Sequence, residues 1–205
     1  MSKIKFTKGE LKRQRDSLKQ FRHYLPTLQL KKQQLQMKIL EAQKALAGFL
    51  SDIKVREGKI ENWVGLLADL RIDIKPWITP QEVNVKTMNI AGANIPIFDS
   101  IRFSQADYDF YLTPFWVDQA LEEFRLLATL LAEAEVIKKQ IFILERELRI
   151  TTQRVNLFEK VKIPECLDNI RRIRIYLGDQ QANAVGISKV AKKKVEMGNL
   201  EEALV

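Results

Sequence analysis

Residues 7–70 read TKGELKRQRDSLKQFRHYLPTLQLKKQQLQMKILEAQKALAGFLSDIKVREGKIENWVGLLADL, with apolar side chains spaced alternately three and four residues apart. One set of positions, seven residues apart, is Leu11, Leu18, Leu25, Lys32, Ile39, Leu46, Ile53, Ile60 and Leu67. A second set, three residues later, is Gln14, Phe21, Leu28, Leu35, Ala42, Phe49, Arg56, Trp63 and Leu70. A 3,4 repeat held for about nine heptads is typical of a coiled-coil seam, because it keeps one apolar stripe facing a partner helix.

The limits of this first helix are indicated by capping residues and prolines. Thr7 and Glu10 have the spacing of a capping box, so we expect the helix to begin at Lys8. Pro26 lies inside it and predicts a kink, because proline removes one backbone hydrogen bond and crowds the preceding turn. The pattern fades after Leu70, and Pro76 ends any continuation. We therefore assign residues 1–72 to an N-terminal coiled-coil helix.

Residues 73–113 have a different character and form the predicted middle region. Two β-prone runs, within residues 83–98, flank a turn at residues 91–94 that contains Gly92 and Asn94, which predicts a β-hairpin. Pro96 is compatible with a strand only where its missing N–H is not needed, as at a sheet edge. Trp77 and Trp116 flank the region, and we expect them to anchor it to the end of the helices.

A second seam follows, in the predicted C-terminal helix at 114–178, with Thr113 as its N-cap and Pro114 at its first helical position. Its positions are Ala120, Leu127, Ala134, Ile141, Leu148 and Val155, with the companions Leu130, Ile137, Leu144, Thr151 and Phe158. Near Lys162 the register slips, and it resumes as Ile163, Cys166, Ile170, Ile173 and Leu177. The eleven residues from Val155 to Cys166 are the spacing of a locally unwound supercoil, and Pro164 lies at the slip.

Two such helices joined by about 43 residues can fold back on each other. We therefore predict a mainly α fold: a long antiparallel two-helix coiled coil from the N- and C-terminal helices, with a small middle region containing a β-hairpin beyond the turn. If Leu67 faces Ala120, then Leu11 faces Tyr176, and Pro26 faces residue 161, close to Pro164. The two prolines would then form a matched bend. Residues 179–205 would overhang the N-terminus as a projecting helix or a frayed end.

Charge and composition narrow the function classes. The net charge is +8, yet residues 61–123 hold four Lys/Arg and ten Asp/Glu, so the middle is acidic and the remainder basic. The chain has one cysteine, Cys166, and one histidine, His23, so we expect no metal site and no cofactor. We find no phosphate-binding glycine loop and no catalytic triad. No secretory signal and no membrane-spanning run is evident.

Three stretches resemble a known family, the D subunits of V-type and A-type rotary ATPases. The first is Thr7-Lys8-x-x-Leu11, and the second is Val83-x-Val85-x-x-x-Asn89-Ile90-x-Gly92-x-x-Ile95-Pro96. The third and most specific is Leu157-Phe158-Glu159-Lys160-Val161-Lys162-Ile163-Pro164, followed by Ile170-Arg171-Arg172-Ile173-Arg174. Together these stretches extend over nearly the whole chain.

The resemblance implies a non-catalytic central-stalk rotor subunit on the cytoplasmic face of a membrane. Its terminal ends would insert into the ring of catalytic A and non-catalytic B subunits. Its other end would engage a small stalk partner (the F subunit) and the connector of the membrane rotor, which carries protons or sodium. The resemblance implies no nucleic-acid partner and no membrane span of its own.

The family pattern also suggests which residues contact partners. The implied partner-binding residues of the hairpin are Val83, Val85, Asn89, Ile90, Gly92, Ile95 and Pro96. We expect a basic tip to contact acidic surfaces of the ring, through Lys8, Lys12, Arg13, Arg15, Lys189, Lys192, Lys193 and Lys194. Pro26 and Pro164 are expected to set the bend that makes rotation eccentric.

Two other classes stay open at this point. A prefoldin-like chaperone subunit is also an antiparallel coiled coil interrupted by β-hairpin structure, although its helix tips would be apolar and not basic. A coiled coil bound to nucleic acid or to an anionic membrane surface would also explain the basic helices. The nucleic-acid and membrane-surface interpretations do not explain the hairpin between the helices, and the chain is long for a prefoldin-like subunit.

Overall fold

The computed structural model describes residues 4–63, 65, 73–109 and 113–202. Its elements are helix α1 (Lys8–Glu61), the short helix α2 (Lys75–Ile78), strands β1 (Pro80–Ile90) and β2 (Ala93–Phe103), helix α3 (Trp116–Asn156), a π-helix (Leu157–Lys162) and helix α4 (Ile163–Glu202). The predicted fold class is confirmed: the fold is mainly α, and a small two-stranded antiparallel hairpin lies between the long N-terminal and C-terminal helices in the sequence.

Both ends of α1 show how the sequence limits the helix. The Glu10 N–H donates to Thr7 Oγ1 (3.2 Å), and the helix begins at Lys8 as predicted. It ends at Glu61, where the Trp63 N–H donates to the Ile60 carbonyl in a turn, so the helix predicted within residues 1–72 is interrupted here. The predicted seam positions Leu67 and Leu70 lie outside the described residues.

The predicted seams agree with the burial of the side chains. Every seam position between Leu11 and Trp63, and every one between Ala120 and Leu177, is buried or half-buried. Leu30 and Leu40, two apolar residues of α1 that lie off the seam, are more than half exposed. The periodicity thus separated packing residues from exposed ones because it reports which helix face is turned toward the partner.

The chain divides into two compact units. We call Leu30–Thr152 the central unit, and Met1–Gln29 with Gln153–Val205 the terminal unit. In the central unit, α1 and α3 are bridged by two partly buried ion pairs. Lys31 Nζ lies 2.9 Å from Glu147 Oε1, and Arg56 Nη1 lies 3.0 Å from Glu123 Oε2.

In the terminal unit, aromatic contacts fix which residues face each other. The rings of Phe21 and Phe158 have centroids 5.1 Å apart, and so do those of Phe6 and Tyr176. The predicted pairing of Leu11 with Tyr176 is therefore wrong. That pairing also placed Phe21 opposite Cys166, about two helical turns from its actual partner. A heptad pattern tolerates such a slip because it repeats itself every seven residues.

This register also overturns the predicted alignment of the two prolines. Pro26 follows Phe21 in α1, while Pro164 follows Phe158 in the antiparallel helix. The prolines therefore lie on opposite sides of the Phe21–Phe158 contact and not at one level. That each proline bends its own helix remains a prediction.

The slip predicted near Lys162 corresponds to the π-helix. Residues Leu157–Lys162 adopt the wider π geometry, and the Ile163 N–H donates to the Phe158 carbonyl, five residues earlier. The unwinding is thus concentrated in one turn and is not spread along the supercoil.

Strands β1 and β2 pair antiparallel and extend beyond the predicted 83–98 segment, with a bulge between Asn84 and Val85. Ala91 (φ 50°) and Gly92 (φ 81°) both have positive φ in the two-residue turn. Such turns match the twist of the flanking strands, and glycine adopts this conformation at little cost. The side-chain oxygen of Asn89 accepts from the Gly92 N–H (3.0 Å), which stabilises the turn.

The C-terminal part differs from the prediction at both ends. Helix α3 begins at Trp116, two residues later than predicted. A turn precedes it, in which the Val117 N–H donates to the Pro114 carbonyl. Helix α4 continues to Glu202, so of the two predictions for the tail the projecting helix is the one observed. Every residue from 178 to 197 is exposed.

Candidate partner-binding surfaces

The hairpin lies along the helices of the central unit. Its turn end buries Ala93 and Ile95 against Leu35, Ile39 and Leu144, and both helices therefore contribute to the hairpin contact. The predicted position of the hairpin beyond the turn is wrong. The sequence indicated a hairpin but not the apolar face that would cover it.

Polar groups reinforce this contact. The Gln140 side-chain amide donates to the Pro96 carbonyl (2.6 Å), so the outward carbonyl of this proline is used in docking. A Cβ added at Gly92 would lie 3.6 Å from the Lys31 ammonium nitrogen, which shows how closely the turn approaches α1.

The predicted partner-binding residues of the hairpin divide into two groups. Ile95 is only 3% exposed, and Ile90 packs against the same cluster, so both side chains bind within this chain. Asn89 and Gly92 shape the turn through their mutual hydrogen bond. By contrast, Val83 and Val85 on β1 are exposed (39% and 49%) and are available to a partner.

Val83 and Val85 line a groove between the hairpin and α3. This groove has a volume of about 250 Å³, and Pro96 lies at its wall together with Ala132, Glu135, Val136 and Lys139. Met88 on β1 and Phe142 on α3 are further exposed apolar residues of this unit, and neither was predicted as a contact from the sequence. Phe142 could have been found from its position, because it is a large apolar residue off the seam.

The far end of the central unit carries an aromatic cluster. Ile74, Val117, Ala120 and Leu121 form its buried centre. The partly buried residues around it include Trp63, Trp77, Tyr108, Trp116 and Phe124. The expected anchoring by Trp77 and Trp116 is confirmed.

Arg125 connects this cluster to the hairpin. Its Nε donates to the Trp77 carbonyl (3.0 Å), its Nη2 donates to the Ser104 carbonyl (2.8 Å), and its guanidinium lies 5.5 Å from the Phe103 ring centroid. The Tyr108 hydroxyl donates to the Asp118 carboxylate, and this hydrogen bond is the main cause of the raised pKa of Tyr108. Phe115 is 97% exposed beside the cluster.

The terminal unit carries the predicted basic tip. All eight of its residues are exposed: Lys8, Lys12, Arg13, Arg15, Lys189, Lys192, Lys193 and Lys194. They form two groups and not one, because Phe6 contacts Tyr176 and the lysines of α4 lie more than three helical turns further along. Exposed apolar residues before, between and after these lysines were not predicted from the sequence: Val185, Ile187, Val190, Val195 and Met197.

A polar cleft of about 520 Å³ lies in the same unit, beside buried Cys166. Burial raises the pKa of the Cys166 thiol, as expected for a small side chain packed in the seam. In the part of the chain that the structure describes, no cluster of three or more His, Cys, Asp or Glu residues has a metal-binding arrangement. No helix within the described ranges is both long and apolar enough to span a membrane.

Comparison with known proteins places this architecture in a family. The family described as the ATP synthase D subunit matches residues 10–193, which include both seams and the hairpin. A V-type ATP synthase D subunit of Borreliella burgdorferi is 48% identical over 196 residues, covering 95% of this chain and 96% of the relative. Those of Chlamydia pneumoniae and Chlamydia felis are 35% and 32% identical, each over 95% of this chain and 94% and 95% of their own. The chain therefore belongs to the family of ATP synthase D subunits.

Proposed function

We propose that this chain is the central-stalk rotor subunit of a V-type or A-type ATPase or ATP synthase. It transmits torque between the nucleotide-processing head and the ion-translocating rotor, and it has no catalytic role of its own. The observation that carries the proposal is the seam shared by the long helices, over residues 11–63 and 120–177, in a chain that matches the family from residue 10 to 193. Continuous apolar packing resists separation of the helices under load.

The proposed partners are those that the family resemblance implies, and each is matched here to the charge and exposure of one unit. The basic residues of the terminal unit contact acidic surfaces of the ring of catalytic A and non-catalytic B subunits. The central unit binds the small stalk partner, the F subunit, and the connector of the membrane rotor. The chain acts at the cytoplasmic face of the membrane as a peripheral part of the complex.

Within the hairpin, the exposed pair Val83 and Val85 is the proposed contact for the small partner. The buried members of the predicted set act indirectly, by holding β1 against α3. Exposed apolar side chains beside a shallow groove are suited to a protein partner, because their burial contributes roughly 25 cal/mol per Å².

Co-expression with the other head and stalk subunits tests the main proposal. The tagged chain should capture a nucleotide-hydrolysing ring and a small partner. Capture of the ring should weaken as salt is raised, because the proposed contact joins opposite charges at exposed sites.

Charge reversal then tests the basic tip. Changing Lys192, Lys193 and Lys194 together to Glu should reduce ring capture by about tenfold or more, since several charge contacts become repulsive. The matched control reverses Lys54 and Lys59, which are exposed on α1 in the central unit and should leave capture unchanged. Equal loss in both variants would contradict the assignment of the tip.

A separate variant tests the hairpin contact. Val85→Glu should weaken binding of the small partner, while Leu40→Glu, at a similarly exposed residue of α1, should not. Isothermal titration against the purified partner measures both. Unchanged affinity in the Val85 variant would exclude this face of the hairpin.

A further inference from the structure

The seam of the C-terminal helices changes phase by one residue across the π-helix. Upstream it includes Val155 and Phe158, and downstream it includes Ile163 and Cys166. The steps from Val155 to Ile163 and from Phe158 to Cys166 are therefore eight residues each, whereas equivalent positions of a heptad seam are seven residues apart. If an uninterrupted α-helix carried the extra residue, polar side chains would take the heptad positions after Val155 and Phe158: Lys162, Glu165 and Arg172.

The π-helix absorbs this extra residue within one turn. Its closing hydrogen bond, from the Ile163 N–H to the Phe158 carbonyl, spans five residues where an α-helix spans four. Val155 is 4% exposed on one side, and Cys166 and Ile173 are 6% and 0% exposed on the other. The apolar seam is thus intact on both sides of the π-helix.

The same turn is a weak backbone segment within the packed part of the C-terminal helices. π geometry aligns the backbone groups less well than α geometry does, and Pro164, just beyond it, has no N–H to donate. Leu157 and Val161 leave 44% and 48% of their surface exposed, so the segment gains little from side-chain burial. Local opening of a helix is easiest where burial and backbone bonding are both poor.

We propose that Leu157–Lys162 is a compliant joint built into the C-terminal helix, and that the complex uses its compliance in energy coupling. The use of the joint in energy coupling rests on the proposed function, whereas the joint itself concerns this chain alone. The apolar seam itself does not require the joint. Removing a single residue would restore an unbroken heptad from Val155 onward.

Deletion of Val161 tests the joint directly. The deletion keeps every charged residue and leaves the seam apolar, so the full chain should melt at or above the temperature of the parent. Amide exchange at residues 158–163, faster in the parent than in the flanking turns, should slow by about tenfold or more. Deletion of Arg22, exposed on α1 where the heptad has no insertion, is the matched control and should lower the melting temperature by about 4 °C or more.

Pro164→Ala separates the two causes of the wide turn. It leaves the one-residue phase shift in place, so rapid exchange at 158–163 should persist. If deletion of Val161 alone prevents folding, the deletion combined with Pro164→Ala removes the proline from the new α-helical turn and gives the same test. Parent exchange as slow as in the flanking turns, or a fall in melting temperature for both deletion variants, would overturn the joint.

The use of the joint in energy coupling is tested in the assembled complex. Deletion of Val161 should lower ions transported per ATP hydrolysed by about twofold or more, while capture of the ring is retained. Full coupling in that variant would overturn the use of the joint. Failure of the parent chain to assemble with any ATPase would refute the proposed function, but the exchange measurement would stand independently.

Discussion

Replacing Ile95 with Ala should release the hairpin from the helices while leaving the helices paired. Ile95 is 3% exposed and packs in one cluster with Leu35, Ile39 and Leu144. The substitution removes three buried carbons, each worth about 0.8 kcal/mol, and leaves a cavity. The expected cost is therefore about 2–4 kcal/mol. Because Leu35 and Leu144 still pack across the seam, most of this loss should fall on hairpin docking.

Hydrogen–deuterium exchange of the full chain measures the effect locally. Protection of the hairpin amides should fall by about tenfold to a hundredfold or more, since each 1.4 kcal/mol of opening free energy is a factor of ten. Protection in α1 and α3 should change much less. Val85→Ala is the control, because Val85 is half exposed and its truncation should cost less than about 1 kcal/mol. Equal protection of the hairpin in the two variants would refute docking through Ile95.

Three further predictions concern polar groups at the helix pairs. Gln14→Leu should destabilise the chain by about 1 kcal/mol in urea unfolding. The reason is that the side-chain amide of buried Asn169 donates to Gln14 Oε1 (3.5 Å) and would lose this acceptor. Adding Asn169→Leu should recover that loss. Burial raises the pKa of the Cys166 thiol, so above about pH 8.5 the unfolded chain loses this proton first. The free energy of unfolding should then fall with rising pH more steeply than in Cys166→Ala, and parallel pH profiles would contradict the burial. A double-mutant cycle on Arg56 and Glu123 should give a coupling free energy of only about 0.5–1 kcal/mol, because the ion pair is partly exposed. A coupling above about 3 kcal/mol would mean that the pair is far more desolvated than the structure shows.

The hairpin shows why site residues were harder to predict than the fold. Val83, Val85, Ile90 and Ile95 looked equivalent in the sequence, since all four are apolar residues in β-prone runs. Their exposure separates them, and exposure depends on which face of the hairpin meets Leu35 and Leu144. The bulge opposite Asn84 and Val85 has its extra residue, Asp99, in β2 and interrupts the alternation of faces in that strand.

The basic tip illustrates a different limit. Exposure of its lysines and arginines was predictable, because long charged side chains off the seam remain in water. The distance between its two groups was not, since it depends on Phe6 and not Leu11 facing Tyr176.

The sequence by itself determined the two seams, the start of α1 at Lys8 and the presence of a hairpin around Gly92. Each of these depends on interactions between residues a few positions apart, and helix periodicity, capping and turn geometry are properties of short segments. The tertiary structure alone decided the register of the helices, the end of α1 at Glu61 and the docking of the hairpin. A heptad repeat gives nearly the same packing after a shift of seven residues, so only the sum of distant contacts selects one alignment. The slip beyond Val155 belongs to both: the sequence contains the extra residue, and the fold confines it to a π-helix so that Ile163 and Cys166 can return to the seam.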